Sequence, residues 1–464
     1  MRTPVANVDA AWLRMDDPTN LMVVTGVLVL DRPVTIRLVR QVIETRLLRF
    51  ERFTQRIVEP PGGVGTPSWE TDPTFAVDNH LFELELQPPG DERALQSLVS
   101  GLMSQPFNMA QPLWHFYLVP HYDGGSAIIG RIHHCIGDGL ALIYVMLSMA
   151  DGGPEPPPPP AKADDEGNHA TLWNTVGSSI AQTANYALSL PLQVLKEASS
   201  MLGNPDRLAE TTGQMSAGLG ALAKLLLMPP DPSTPLKGPL VAEKKVAWSK
   251  PIKITDFKKI GRATGSTIND IMMSAMTGAL RQYLLGRGPV SADLNVRGVI
   301  PVNLRPLEEA HQLGNQFGLV FVALPLGIDD PLDRLFEVRR RMTAIKNTPE
   351  AFVAFQILRG LGMAPKQIFD VVVNLFGSKA TAVVTNVIGP RAPIAMAGTK
   401  MRQAMFWVPC SGHLGLGISL LSYAGKVWLG LQTDAGLIPD PERILDAFQG
   451  EVGALLELER QAGR

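Results

Sequence analysis

Residues 133–139 read His133-His134-Cys135-Ile136-Gly137-Asp138-Gly139. Two histidines, a thiol and a carboxylate in so short a run offer three chemistries: a metal site, a thiolate nucleophile, or a histidine that takes and returns a proton near neutral pH. Zinc-binding histidines on a metalloprotease helix stand one turn apart with a glutamate between them. These two are adjacent and no glutamate separates them, so no metal is expected. Cys135 lies in an apolar context and reads as a buried, inert thiol. Proton transfer by a histidine is the chemistry that remains. The same residues also have a purely structural reading, since Asp138-Gly139 is what a turn into a helix requires.

The neighbouring elements must position these groups. The apolar run 127–132 leads into the heptad and reads as a strand; the apolar stretch 140–146 after it reads as a helix. The histidines therefore stand at a strand-to-helix junction, a common place for reactive groups. Successive side chains on a strand point to opposite faces. One histidine can then face a channel while the other is held in the interior. Asp138 can fix the backbone or pair with a distant arginine, and Gly139 is expected to let the helix approach closely.

Around this junction, residues 21–30 read as a strand, 34–49 as a helix, and 113–119 with 126–132 as a hairpin about Tyr122-Asp123-Gly124-Gly125. The composition then breaks. Gly152-Gly153-Pro154-Glu155 and five prolines to Pro160 form a polyproline-type linker. Residues 171–195 carry no charge and repeat apolar positions every four residues, as a helix does. A second helical pattern covers about 207–228 and is ended by prolines 229, 230, 232 and 235. This weakly charged pair can brace two domains or meet lipid; bracing is favoured, because membrane-surface helices usually carry lysine or arginine on the polar face and 171–195 has none. A second α/β stretch follows: strands at 246–248, 296–300, 317–326, 382–386, a hairpin of 415–423 with 426–434, and helices at 254–264, 267–285, 333–347 and 441–459. The predicted organisation is an N-terminal domain over 1–151, a linker and helical connector over 152–240, and a C-terminal domain over 241–464. The two α/β halves permit a pseudo-duplicated architecture.

The chain has 464 residues, 45% hydrophobic and 19% charged, with 42 basic and 44 acidic side chains. That balance argues against a nucleic-acid partner. Cys135 and Cys410 are the only cysteines, too few for a disulfide framework, so a reducing, cytoplasmic setting is expected. The N-terminus does not resemble a signal peptide, and no window reaches the roughly 18 consecutive apolar residues of a spanning helix. Contact with a membrane or lipid-droplet surface would be peripheral. No phosphate loop, dinucleotide fingerprint or Gly-x-Ser-x-Gly elbow occurs, which disfavours kinases, dehydrogenases and serine hydrolases.

Taken together, the motifs resemble the bacterial wax ester synthase/diacylglycerol acyltransferase family, within the coenzyme-A-dependent acyltransferases that include chloramphenicol acetyltransferase and condensation domains. The resemblance runs from Asp9-Ala10-Ala11-Trp12-Leu13 through Pro112-Leu113-Trp114, the His-His-x-x-x-Asp-Gly heptad, Asn269-Asp270, Pro301 to Arg305, Gly314-Asn315, Asn386 to Pro390 and Ser422-Tyr423 with Gly425. Three places depart from the family pattern. Val23 stands where histidine is often found, His115 where an acidic residue is usual, and Cys135-Ile136-Gly137 is a less common filling of the heptad.

The resemblance implies an α/β fold of two chloramphenicol-acetyltransferase-like domains with mixed sheets and a tunnel between them. It implies an O-acyltransferase moving a long-chain acyl group from acyl-coenzyme A, a substrate rather than a cofactor, to a fatty alcohol or diacylglycerol. His134 would be the general base, with direct transfer in a ternary complex. Asn269 would stabilise the oxyanion or orient the acceptor. His133 and Asp138 would be architectural, with Gly139, Asp270 and Arg305 in support and Arg305 the partner of Asp138. The competing reading is a superfamily member that condenses carrier-bound acyl groups or binds lipid without turnover.

Overall fold

The computed structural model describes residues 2–60, 65–154, 213–306, 309–346, 348–362, 364 and 366–462. The polyproline stretch and the helix expected at 171–195 lie outside the described residues. Two mixed sheets organise the chain, giving the α/β class with mixed sheets that the sequence implied.

The first sheet runs in the order Ala395–Met396, Thr399–Trp407, Val23–Leu30, Gly125–His133, Trp114–Tyr122, Leu81–Glu83. Its neighbours are antiparallel except Leu81–Glu83, which is parallel to Trp114–Tyr122. The central hairpin turns at Asp123 and Gly124, whose φ values of 47° and 75° are the left-handed pair that a tight hairpin needs. Late strand Thr399–Trp407 crosses over to pair with Val23–Leu30. It is held there by packing: Trp407 is fully buried and lies 5.8 Å from Trp248.

The second sheet runs Phe317–Leu324, Val296–Asn303, Ala382–Ile388, Leu416–Tyr423, Lys426–Asp434, Lys244–Trp248, with Ala382–Ile388 parallel to both of its neighbours. Helix Ile268–Leu285 packs on it, nearly all buried. Its start is a reciprocal cap: Thr267 Oγ1 accepts from Asp270 N at 3.2 Å while Asp270 Oδ2 accepts from Thr267 N at 2.9 Å. Midway, a Cβ on Gly278 would stand 2.3 Å from Glu451 Cδ, so a larger residue there would displace the buried Arg334–Glu451 pair.

The described part of the connector, helix Gly213–Leu227, packs on the C-terminal half. Ala221 and Leu225 are buried, Lys224 pairs with Glu350, and Lys379 Nζ donates to Leu226 O at 2.8 Å. Two further helices, Glu350–Leu361 and Lys366–Ser378, have no counterpart in the sequence reading. Among the described residues no helix is long and apolar enough to cross a membrane.

Candidate functional site

Strand Gly125–His133 ends on the first histidine, and helix Gly139–Met149 begins six residues later. Asp138 caps that helix, its Oδ1 accepting from Ala141 N at 2.9 Å. The two histidines part at this junction. His133 is 1% exposed; its Nδ1 accepts from Cys135 N at 3.2 Å, so its ring proton sits on Nε2, 3.6 Å from Asp16 Oδ1. His134 goes the other way. Its ring stacks on Trp12, centroids 4.5 Å apart at 24°, with Phe317 at 5.6 Å. It forms part of the wall of a cavity of about 450 Å³.

The heptad is stitched to a segment of the other half. Gly137 and Gly314 form a parallel bridge, with Gly314 N donating to Ile136 O at 2.9 Å and Asp138 N donating to Gly314 O at 3.2 Å. Gly314 has φ 102°, a backbone conformation that favours glycine, and a Cβ there would crowd Asp9 Oδ2 at 3.2 Å. Asp138 Oδ2 accepts from Arg305 Nη2 at 3.2 Å and from Gln316 N at 2.9 Å, and both members of this ion pair are buried. Asn315 Nδ2 donates to His134 O at 2.7 Å and to Asp9 Oδ1 at 2.8 Å, and Asn315 N reaches the same Asp9 oxygen at 2.9 Å. Asp9 and Asn315 thus belong to the site although sequence reasoning gave them no role. The only signal was their place in the motifs at 9–13 and 314–315.

The cavity is built from both halves. Trp12, His134 and Ile143 from the first half and Val299, Phe317 and Phe321 from the second line it. Helices Glu350–Leu361 and Lys366–Ser378 supply one apolar wall through Ala354, Ile357, Val373 and Phe376. Polar side chains are few: Asn303, Thr385, Asn386 and Ser411 besides His134 and Asp138. Its size falls inside the range of about 300–1,000 Å³ usual for ligand pockets.

The remaining candidates are placed differently. Asn269 is not in the cavity wall. Its Oδ1 accepts from Asn386 Nδ2 at 2.9 Å, and Asn386 is an exposed residue on the rim. Asp270 belongs wholly to the helix cap described above. Gly139 lines the cavity, but a Cβ there would meet nothing within 4 Å. The close approach expected of Gly139 is found instead at Gly137, where a Cβ would lie 3.2 Å from Ala141 Cβ.

Burial sets the protonation of the site. It pulls His134 down to about 4, against a smaller upward pull from Asp138. The ring is therefore neutral at ordinary pH. Burial pushes Asp9 up to about 6, opposed by the hydrogen bonds from Asn315. It also raises the Cys135 thiol, which keeps that sulfur protonated and unreactive.

The geometry can be set beside known proteins. Residues 5–272 match the family description "Wax ester synthase/diacylglycerol acyltransferase catalytic domain", and 313–455 match "WS/DGAT C-terminal domain". The probable diacylglycerol O-acyltransferase tgs1 of Mycobacterium tuberculosis H37Rv is 24% identical over 422 residues, 90% of this chain and 87% of the relative. Among solved structures, the wax ester synthase/diacylglycerol acyltransferase of Marinobacter aquaeolei VT8 superposes with a TM-score of 0.66 at 21% identity, covering 100% of both chains. The first condensation domain of the calcium-dependent antibiotic synthetase superposes with a TM-score of 0.59 at 14% identity, covering 99% of this chain and 96% of that one. Fold and family together define an acyltransferase enzyme built on two mixed sheets. The chain belongs to the wax ester synthase/diacylglycerol acyltransferase family.

Proposed function

We propose that the chain transfers a long-chain acyl group from acyl-coenzyme A to the hydroxyl of a fatty alcohol or a diacylglycerol, with His134 as general base. The observation that carries this reading is a neutral histidine on the wall of an apolar cavity shared by both halves. A base must be unprotonated to work, and an apolar cavity of this size suits an acyl chain. The relatives' names supply the acyl acceptor class: tgs1 is named a diacylglycerol acyltransferase, and the Marinobacter enzyme a wax ester synthase as well.

In this mechanism His134 takes the hydroxyl proton as the oxygen attacks the thioester carbonyl. The tetrahedral oxyanion collapses, the C–S bond breaks, and the proton passes to the departing thiol. Both substrates are held at once, so proximity contributes much of the rate. The growing imidazolium is supported by the stacked face of Trp12 and by Asp138. The start of helix Gly139–Met149 opens on the cavity at Gly139 and Leu140. Its free first-turn N–H groups favour the oxyanion. Asn269 acts through Asn386 at the rim, where the pair orients the incoming acceptor. His133 and Asp138 hold the backbone. The enzyme meets its water-insoluble acceptors by peripheral contact with a lipid surface.

Release of free thiol from palmitoyl-coenzyme A, with hexadecanol or diolein and without either, tests the reading, with product chromatography to identify the ester. His134→Ala should lower transfer about 10²–10⁴-fold with an unchanged circular dichroism spectrum. Undiminished turnover would remove His134 from the mechanism. A wild-type chain that releases no thiol with any acceptor would instead be a lipid-binding member of the family.

A further inference from the structure

Helix Lys366–Ser378 is apolar on two sides. Its inner side sends Val372, Val373 and Phe376 into the cavity wall, and Phe369 is buried beside them. Its outer side leaves Ile368, Val371 and Leu375 54%, 66% and 37% exposed. These positions fall at i, i+3 and i+7, one stripe along the helix. Scattered exposed aliphatics are ordinary, but a contiguous stripe is not. The helix has two charged residues, Lys366 and Asp370, which pair with each other at 3.4 Å near its start. Ile388 borders the same cavity and is 82% exposed. Exposed Arg391 follows it closely in the chain.

We propose that this outer face, with Ile388 beside the cavity, seats on a phospholipid surface, so that acceptor and product pass between lipid and cavity beside the helix. This rests on the acyl-transfer reading, which requires a cavity filled by water-insoluble molecules. Three observations favour lipid as the occupant. The exposed stripe is on the same helix that walls the cavity, so a lipid seated there lies one helix thickness from the reaction space. Four aliphatic side chains expose a few hundred Å² at most, against about 800 Å² per partner in a stable protein interface; a fluid lipid surface needs no such complementary partner. Lys366 and Arg391 lie beside these residues in the chain, where cations meet lipid headgroups. The far end of the helix is fixed, Lys237 Nζ donating to Ala380 O at 2.7 Å and to Gly377 O at 3.4 Å, so the stripe is presented from a firm base.

The test is flotation of the full chain with vesicles of phosphatidylcholine and phosphatidylglycerol. The wild type should float, and the triple variant Ile368→Ser/Val371→Ser/Leu375→Ser should bind roughly tenfold more weakly or worse. Transfer from hexanoyl-coenzyme A to water-soluble butanol should be equal in both, while transfer to vesicle-borne diolein should fall in the variant. A wild type that does not float, or a variant that floats equally well, overturns the proposal. So does a wild type that is dimeric in solution when the variant is monomeric, which would assign the face to a second copy. Failure of the transfer reading is separate: no thiol release from any acyl-coenzyme A by a chain that still floats.

Discussion

Asn315 donates its side-chain N–H to the backbone carbonyl of His134 at 2.7 Å, across 181 positions of sequence. The same nitrogen reaches Asp9 at 2.8 Å, so one amide ties the first helix, the heptad and the second half together. The anchor grips the backbone of His134 rather than its ring, and the ring is then set by stacking on Trp12.

Asn315→Ala should therefore cost both stability and turnover. It strips the buried Asp9 carboxyl of a donor and frees the His134 carbonyl, an effect of about 1–3 kcal/mol in urea denaturation. The fall in transfer should lie mainly in kcat, because the cavity that binds the acyl chain is untouched. A KM effect alone would argue against the positioning role.

The Asp138–Arg305 pair should behave as a unit. Asp138→Ala removes a helix cap, about 1 kcal/mol, and leaves Arg305 buried without its carboxylate, about 3–5 kcal/mol. Arg305→Met removes the other partner. The double variant should be much less damaged than the two single losses added together, because the second change removes the stranded charge. Additive losses in chemical denaturation would mean the pair contributes nothing as a pair.

Protonation of the buried histidines makes a pH prediction with a definite sign. His134 and His115 are both held at about 4 by burial, below the ordinary 6.5. The unfolded chain then binds more protons than the folded one between those values, and their contribution, full above 6.5, is lost as pH falls toward 4. Asp9 runs the opposite way: raised from 3.8 to about 6, its contribution is full below 3.8 and lost as pH rises through about 6. Net stability should fall from pH 6.5 to 4, and Asp9→Asn should steepen that fall. The acid limb of kcat/KM should lie near 4; a limb near 6.5 would mean that His134 is solvated during turnover.

Arg131 is 1% exposed, and among the described residues no carboxylate pairs with it. Its cross-strand neighbour is His115, which its charge helps to keep unprotonated. Because His115 lies directly across the strand pair from Arg131, His115→Glu should supply a carboxylate for it. The melting temperature at pH 7 should rise, and the gain should vanish below about pH 4 as the carboxyl protonates. No rise at pH 7 would show that desolvating the carboxylate offsets the pairing.

The sequence made the local elements of the site legible, because each has a short-range cause. The hairpin is written in Asp123-Gly124, the helix after the heptad in the Asp138 cap, and the strand ending at His133 in a largely apolar run interrupted by Arg131. Strand alternation predicts that the histidines part; the strand ends at His133, and the turn beginning at His134 is what parts them. What escaped has long-range causes. Thr399–Trp407 joins the first sheet only because Val23–Leu30 offers it an edge and Trp407 a buried place. Helices Glu350–Leu361 and Lys366–Ser378 are apolar on more than one side, which blurs the period that marks a helix against one core. Asn269 and Asn386 are both short amides beside apolar runs; which of them meets the cavity depends on where the second sheet sets the rim.

The bridge between Gly137 and Gly314 has a consequence for how such enzymes can be recombined. Its contacts couple the heptad to residues 305–316, so the base and its clamp form one heritable unit split over two stretches of chain. A hybrid that takes residues 1–151 from one relative and the remainder from another inherits a heptad facing a foreign clamp. A hybrid that carries 305–316 together with 1–151 keeps the matched set. The natural seam for shuffling this enzyme is therefore not the proline-rich stretch, where the composition changes most, but a cut that leaves those two stretches with the same parent.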